Sequence, residues 1–201
     1  MSEPFAELYD RDGRSDPLFS DFRRASDQLR ADLPGGLREL ERLAHGGSPM
    51  SMLALADALR DGRGYATDLT AAEAWYEMAV KSGSTRALVG LATAHLLMGR
   101  FGDAIQELEA AIANGYPPAY EVLAGIYFRG NGVPVDRRRA RELWRQGASL
   151  GHVPAKWNLV HYSIRGHYGL VSWAWALLEL WPTAIQFGST RRKNPHTDRL
   201  L

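Results

Sequence analysis

The stretch "GNGVPVD", residues 130–136, sets two glycines, a proline and an aspartate between two runs with helical apolar spacing. Residues 62–68, "GRGYATD", put Gly, Gly and Asp at the same relative positions. Glycine tolerates positive φ, so Gly-x-Gly reverses a chain within a few residues. Pro134 cannot continue a helix interior but sits well ahead of a new helix. Asp68 and Asp136 fall where a side-chain oxygen caps the next helix's free backbone donors. Both stretches therefore read as helix stop, tight turn and helix start.

Working outward, the same register runs through the chain. From Ser51, fixed offsets reach Leu55, Ala56, Leu59, Gly62, Gly64, Asp68 and Ala72. From Ala119 they reach Leu123, Ala124, Tyr127, Gly130, Gly132, Asp136 and Ala140. A unit anchored at Ala155 is degenerate, and one anchored at Ala87 has a shortened loop, "MGRFGD". Each unit predicts two helices, the first with an apolar face at i, i+4, i+5 and i+8. In the second helices, Ala72 and Tyr76 correspond to Ala104 and Leu108 and to Ala140 and Trp144. A small residue followed a turn later by a large one lets helices approach closely and interlock.

This pattern resembles the Sel1-like repeat family, a relative of the tetratricopeptide repeat. "AYEVLAGIYFRGNGVPVDRRRARELWRQGASLG" carries the resemblance best, with "SMLALADALRDGRGYATDLTAAEAWYEMAVKSG" close behind. The resemblance covers roughly 48–188 and implies an all-α, right-handed solenoid of antiparallel helix pairs. The expected organisation is an acidic tail at 1–16, a helical cap or degenerate repeat at 17–47, and repeats at 48–83, 84–115, 116–151 and 152–188. A polar basic tail follows at 189–201. Leu18, Phe19, Phe22, Ala25 and Leu29 mark one side of a first cap helix, and "GGLRELERLAHGG" reads as its partner.

Bulk properties narrow the function. The chain has 201 residues, 45% of them hydrophobic, and 24 Lys and Arg against 23 Asp and Glu. A nucleic-acid binder would show a basic excess. Arg137, Arg138 and Arg139, followed by Arg141 and Arg145, read first as a solvated helix face. No cysteine is present, which excludes disulfide scaffolds, thiolate metal sites and cysteine nucleophiles. It also sets the chain apart from the secreted, disulfide-rich bacterial members of the family. The acidic N-terminus has no apolar run, so no secretory signal is expected and a cytoplasmic setting is.

Chemistry is not what the motifs call for. His161 and His167 do not form an HExxH pair, and the glycine stretches are neither a phosphate loop nor a dinucleotide fingerprint. His95 stands at the motif's tyrosine position and is expected half-buried and hydrogen-bonded. No catalytic residue, cofactor or metal is expected, and a hydrolase or other enzyme is a remote alternative. The resemblance implies a scaffold or adaptor that binds a protein through a concave groove lined by the first helices. Its candidate positions are Leu53, Asp57, Arg60, Asp61, Arg86, Val89, Thr93, Leu96, Leu97, Glu121, Phe128, Arg129, Trp157, His161, Ile164 and Arg165. Aromatics with arginine have the composition of binding hot spots. The competing reading is that Phe128 and Trp157 only pack between units.

The segment 170–187 raises an alternative, a membrane-associated scaffold, since its length approaches that of a spanning helix. Glu179 and Pro182 count against spanning. Register gives Ser172 as a cap and Ala176, Leu180 and Ala184 as inward positions. One residue on from the inward positions stand Glu73, Glu77 and Lys81 in the first unit and Arg141, Arg145 and Ser149 in the third. The last unit has Leu177, Trp181 and Ile185 there. With Trp173 they form an expected contact patch for a partner protein, a second copy of the chain or a membrane surface. Fold-back of a terminal segment over the patch is the other possibility.

Overall fold

The computed structural model describes residues 16–164. Among them are nine α-helices and no strand: α1 Phe19–Ala31, α2 Leu33–His45, α3 Pro49–Asp61, α4 Leu69–Lys81, α5 Thr85–Leu97, α6 Phe101–Ala113, α7 Pro118–Arg129, α8 Arg137–Ser149 and α9 Val153–Ile164. The fold is all-α, built of successive helix pairs in the manner of an α-solenoid. The chain divides into two compact units, Met1–Ala119 and Tyr120–Leu201. Arg165, His167, the cap Ser172, the patch residues Trp173, Leu177, Trp181 and Ile185, and the segment 170–187 lie outside the described residues, as do 1–15 and 189–201.

In the first unit each helix packs on the next from α1 to α6, and α3 also touches α5. The contact positions are small. Ala56, Ala72, Ala79, Ala87 and Ala94 are fully buried, interleaved with Leu55, Tyr76 and Leu91. Methyl groups at these sites let the helix axes approach while the large residues fill the grooves.

The first helix pair closes the stack. Ala25, Leu40 and Leu43 are buried, with Leu18, Phe22 and Leu29 packed on them. Gly36 lies so near α1 that a Cβ there would sit 2.6 Å from the Leu29 nitrogen. Asp16, at the end of the segment read as a tail, is buried and joins the pair to α3. Its carboxylate accepts from Leu18 N at 2.8 Å, Ser48 Oγ at 2.6 Å and Met50 N at 3.1 Å. Ser48 Oγ in turn accepts from Ser51 N and caps α3.

The turns repeat. After α2, α4, α6 and α8 a glycine with positive φ follows: Gly47, Gly83, Gly115 and Gly151. The amide after it reaches back into the helix, with Ser48 N on Leu43 O, Ser84 N on Ala79 O, Tyr116 N on Ala111 O and His152 N on Gly147 O. That bond, with the glycine amide bonded three residues back, makes a Schellman closure that satisfies carbonyls the helix end would leave open. The double-glycine loops have φ of 71° and 74° at Gly62 and Gly64 and 76° and 70° at Gly130 and Gly132. Asp68 N donates to Leu59 O and Asp136 N to Tyr127 O, closing both loops alike. Asp68 Oδ1 accepts from Ala71 N at 2.9 Å and Asp136 Oδ1 from Arg139 N at 2.8 Å, the caps that the register predicts.

In the second unit, Ala124, Ala140, Trp144, Ala155 and Leu159 form the core, with Tyr127, Phe128, Leu143 and Tyr162 packed on it. The Trp144 and Tyr162 rings stack 5.0 Å apart, and Phe128 lies 4.1 Å from Tyr162. His152, 7% exposed, opens the approach to α9.

Two predictions follow from these elements. A β-carbon on Gly130 would sit 2.7 Å from Val135 Cγ2, on a backbone already at φ 76°. Gly130→Val and Gly132→Val should each lower unfolding stability by ~1–3 kcal/mol; a urea midpoint equal to wild type in both would refute the tight turn. Burial pushes the His152 imidazole pKa down to about 4, against about 6.5 for a free histidine. Between those values the unfolded chain binds a proton that the folded chain does not. The contribution is therefore full above about pH 6.5 and is lost progressively as pH falls toward 4. The urea midpoint should drop across that window, and His152→Gln should flatten the drop; equal slopes would contradict it.

Candidate interaction surface

On the first unit the candidate face is carried by α3 and α5 and is tied down by α4. Tyr76, fully buried, sends its hydroxyl up between the helices. It donates to Asp57 Oδ1 and accepts from Arg60 Nη1 at 2.7 Å. Burial, and then the neighbouring Asp57 charge, raise the phenol's pKa far above the usual range, so it remains a neutral donor. Arg60 Nη1 also lies 3.0 Å from Asp57 Oδ1, and Arg60 Nε donates to Asp61 Oδ1 at 2.7 Å. Arg63 pairs with the same Asp61 carboxylate. Burial works against the Arg60 charge, but Asp61, Asp57 and Tyr76 outweigh it and raise its pKa. The hydrogen bond from Arg60, against a smaller burial effect, holds Asp61 below the ordinary carboxylate range.

Three of the sequence candidates, Asp57, Arg60 and Asp61, are thus one network. Arg86 adds a longer contact to Asp57 at 3.8 Å. Thr93 is half-buried and turns its hydroxyl back to Val89 O at 2.8 Å. Leu97 is 60% exposed. Leu53 is 3% exposed and belongs to the core rather than the face.

In the second unit, Glu121 accepts from Asn158 Nδ2 at 3.0 Å. Burial raises the Glu121 pKa, opposed by Asn158 and Arg129. Arg129 is exposed, Trp157 is 37% exposed and stacks 6.1 Å from His161, and His161 meets Tyr162 edge-on at 5.2 Å. Phe128 is half-buried in the aromatic cluster with Trp144 and Tyr162. Glu121, Trp157 and His161 therefore sit on α7 and α9 beside a packed aromatic base that includes Phe128.

Elsewhere on the first unit, Glu73, Glu77, Lys81, His95, Arg100, Asp103 and Glu107 line a cavity of about 300 Å³. His95 is 4% exposed, more deeply buried than its register suggested, and its Nε2 lies 3.1 Å from Glu73 Oε1. Arg100 Nη1 donates to the same oxygen at 2.7 Å. This arrangement joins α4, α5 and α6 across a distance no motif spells out. Gly90 was also missed by sequence reasoning. A Cβ there would lie 2.3 Å from Tyr76 Cε1. A glycine inside a helix costs up to about 1 kcal/mol against alanine, and that cost was the available signal.

Helix pairs of fixed length, identical turn closures and a variable polar face define a helix-pair repeat protein. The Sel1 repeat family matches residues 49–84 and 117–152, the two units that carry the double-glycine loops. The chain therefore carries two Sel1 repeats. A protective antigen of uropathogenic Escherichia coli with an SLR fold is similar over 65% of this chain and 29% of its own length, at 26% identity and a TM-score of 0.53. A Sel1 repeat protein from Oxalobacter formigenes matches over 76% of this chain and 64% of its own, at 19% identity and a TM-score of 0.64. A Pseudomonas aeruginosa protein matches over 72% and 58%, at 22% identity and a TM-score of 0.54. This chain thus spans less than two thirds of each of these structures. No curated protein matches the sequence. Sel1-repeat proteins are generally non-catalytic scaffolds that bind protein partners.

The network predicts a measurable role for the Tyr76 hydroxyl. Tyr76→Phe leaves Asp57 and Arg60 without their buried partner and should cost about 1–2 kcal/mol in urea unfolding. A loss within error of zero would show that water replaces the hydroxyl.

Proposed function

We propose that the chain is a non-catalytic scaffold that docks a partner protein's peptide or helix on the first-helix faces of its repeats. The observation that carries this reading is the Asp57, Arg60 and Asp61 network on Tyr76. Its charges are half-exposed, yet fixed from below by a buried hydroxyl, so little side-chain entropy remains to be lost on binding. Trp157, with His161 stacked on it, supplies an aromatic anchor of the kind that dominates protein interfaces. Among the described residues no helix is long and apolar enough to cross a membrane.

The test is a photo-crosslinking amino acid placed at Thr93, at Trp157, or at Ala110 on the exposed side of α6, in the intact chain. Thr93 and Trp157 should trap the same protein from cells of the source organism, and Ala110 should not. Trapping from Ala110 alone, or different proteins from Thr93 and Trp157, would overturn the assignment. As a second arm, Asp61→Lys should reduce recovery while the melting midpoint stays within a few degrees.

A further inference from the structure

The scaffold reading leaves unused the most strongly charged helix. α8, "RRRARELWRQGAS", holds five arginines against one glutamate. Arg137, Arg138, Arg139, Arg141 and Arg145 are all exposed. Their placement runs against helix electrostatics. The first turn of a helix favours negative side chains, because the macrodipole is positive there. α8 has no acidic residue in its first turn and three arginines. The equivalent helix α4 performs the same packing with Leu69, Thr70 and Ala71 at those positions. Packing therefore does not call for the arginines. One and two turns further the contrast becomes an inversion, since Glu73 and Glu77 of α4 correspond to Arg141 and Arg145.

Part of the set has a structural task. The Arg139 guanidinium lies 4.2 Å from the Tyr127 ring centre and that of Arg137 lies 6.0 Å from Phe128. Arg138 has no such contact: among the described residues its side chain makes no hydrogen bond, ion pair or ring contact. Arg138, Arg141 and Arg145 stand at i, i+3 and i+7, one face of the helix, over roughly 10 Å of rise. Arg145 is 70% exposed and already grips a carboxylate, Glu142, at 2.9 Å.

We propose that this arginine face of α8 is a docking surface for an acidic helix of a partner protein, one whose carboxylates are spaced three and four residues apart. The spacing favours a helix, because carboxylates on one side of an extended strand recur every ~6.6 Å, whereas the arginine rises are about 4.5 and 6 Å. Planar guanidinium forks match carboxylates in two-point geometry, which a run of lysines would not. A nucleic acid is disfavoured by a chain whose charges nearly cancel. Membrane insertion is disfavoured because the residues beside the stripe, Gln146 and Ser149, are exposed and polar, while Trp144 is buried. An interfacial helix needs an apolar face turned outward.

The experiment uses the full chain and two alanine-based helical peptides of equal composition. One carries glutamates at i, i+3 and i+7, and the other has them dispersed around the helix. The ordered peptide should bind roughly five-fold or more tighter than the dispersed one, and binding should fade as salt rises toward about 1 M. Arg138→Glu with Arg145→Glu should abolish the preference. Arg38→Glu, an exposed change on the first unit, should leave it intact. Arg138→Glu alone should weaken binding while the melting midpoint holds or rises, since a carboxylate in the first turn suits the dipole. A merely structural arginine would lower the midpoint instead. Equal affinity for the two peptides overturns the proposal. So does tighter binding of a DNA duplex or of phosphatidylserine vesicles than of the ordered peptide at about 0.15 M salt.

Discussion

The distance at which one helix can lie against the next is set here by methyl groups. Ala56, Ala72, Ala79, Ala87 and Ala94 have no exposed surface, and all five belong to the one core cluster shared by α3, α4 and α5. A larger side chain at any of them would push the axes of α3, α4 and α5 apart. Small residues alone make a poor core, because they bury little area. The deficit is made up by one large residue a turn later in each second helix. These are Tyr76, Leu108 and Trp144, each buried to 2% exposure or less. Close approach and groove filling are therefore assigned to different, fixed positions.

That division explains how one framework carries unlike surfaces. The turn closures use backbone groups and glycine, the approach uses methyls, and the caps use one aspartate per long loop. None of these constrains what the exposed positions hold. Tyr76 extends the framework outward by placing a hydroxyl under Asp57 and Arg60. Trp144 occupies the same register position but contributes ring area, stacking on Tyr162. The same site thus supports a polar network in one unit and an aromatic cluster in the other.

Much of this was legible in the sequence because it is periodic. The helix pairs, the positive-φ glycines and the caps at Asp68 and Asp136 recur at fixed offsets, and repetition separates signal from accident. What does not recur was harder to read. Asp16 was assigned to a tail, yet it binds Ser48 and Met50, more than thirty residues on, and no local pattern announces a partner that far away. The burial of His95 against Glu73 depends on how three helices converge. The candidate face was read as a set of separate positions, whereas Asp57, Arg60 and Asp61 hold one another through short charged contacts. Register says which way a side chain points, but not what it meets.

The charges beside the framework complete the argument. Repeats that stack share their inward residues by necessity, so only outward residues are free to differ between copies. Glu73 and Glu77 on α4 against Arg141 and Arg145 on α8 is a change of sign at matched positions, each directly after an alanine (Ala72, Ala140) or a large aromatic (Tyr76, Trp144) of the shared framework. Glu107, near Glu77 and Asp103, illustrates the consequence on the acidic side: burial raises its pKa most, His95 opposes that, and the like charges of Glu77 and Asp103 add smaller increases. At these positions one repeat folds with glutamates and the other with arginines. Opposite charge at equivalent sites therefore gives each repeat a face of its own chemistry, which is what distinguishes a scaffold from a mere stack of helices.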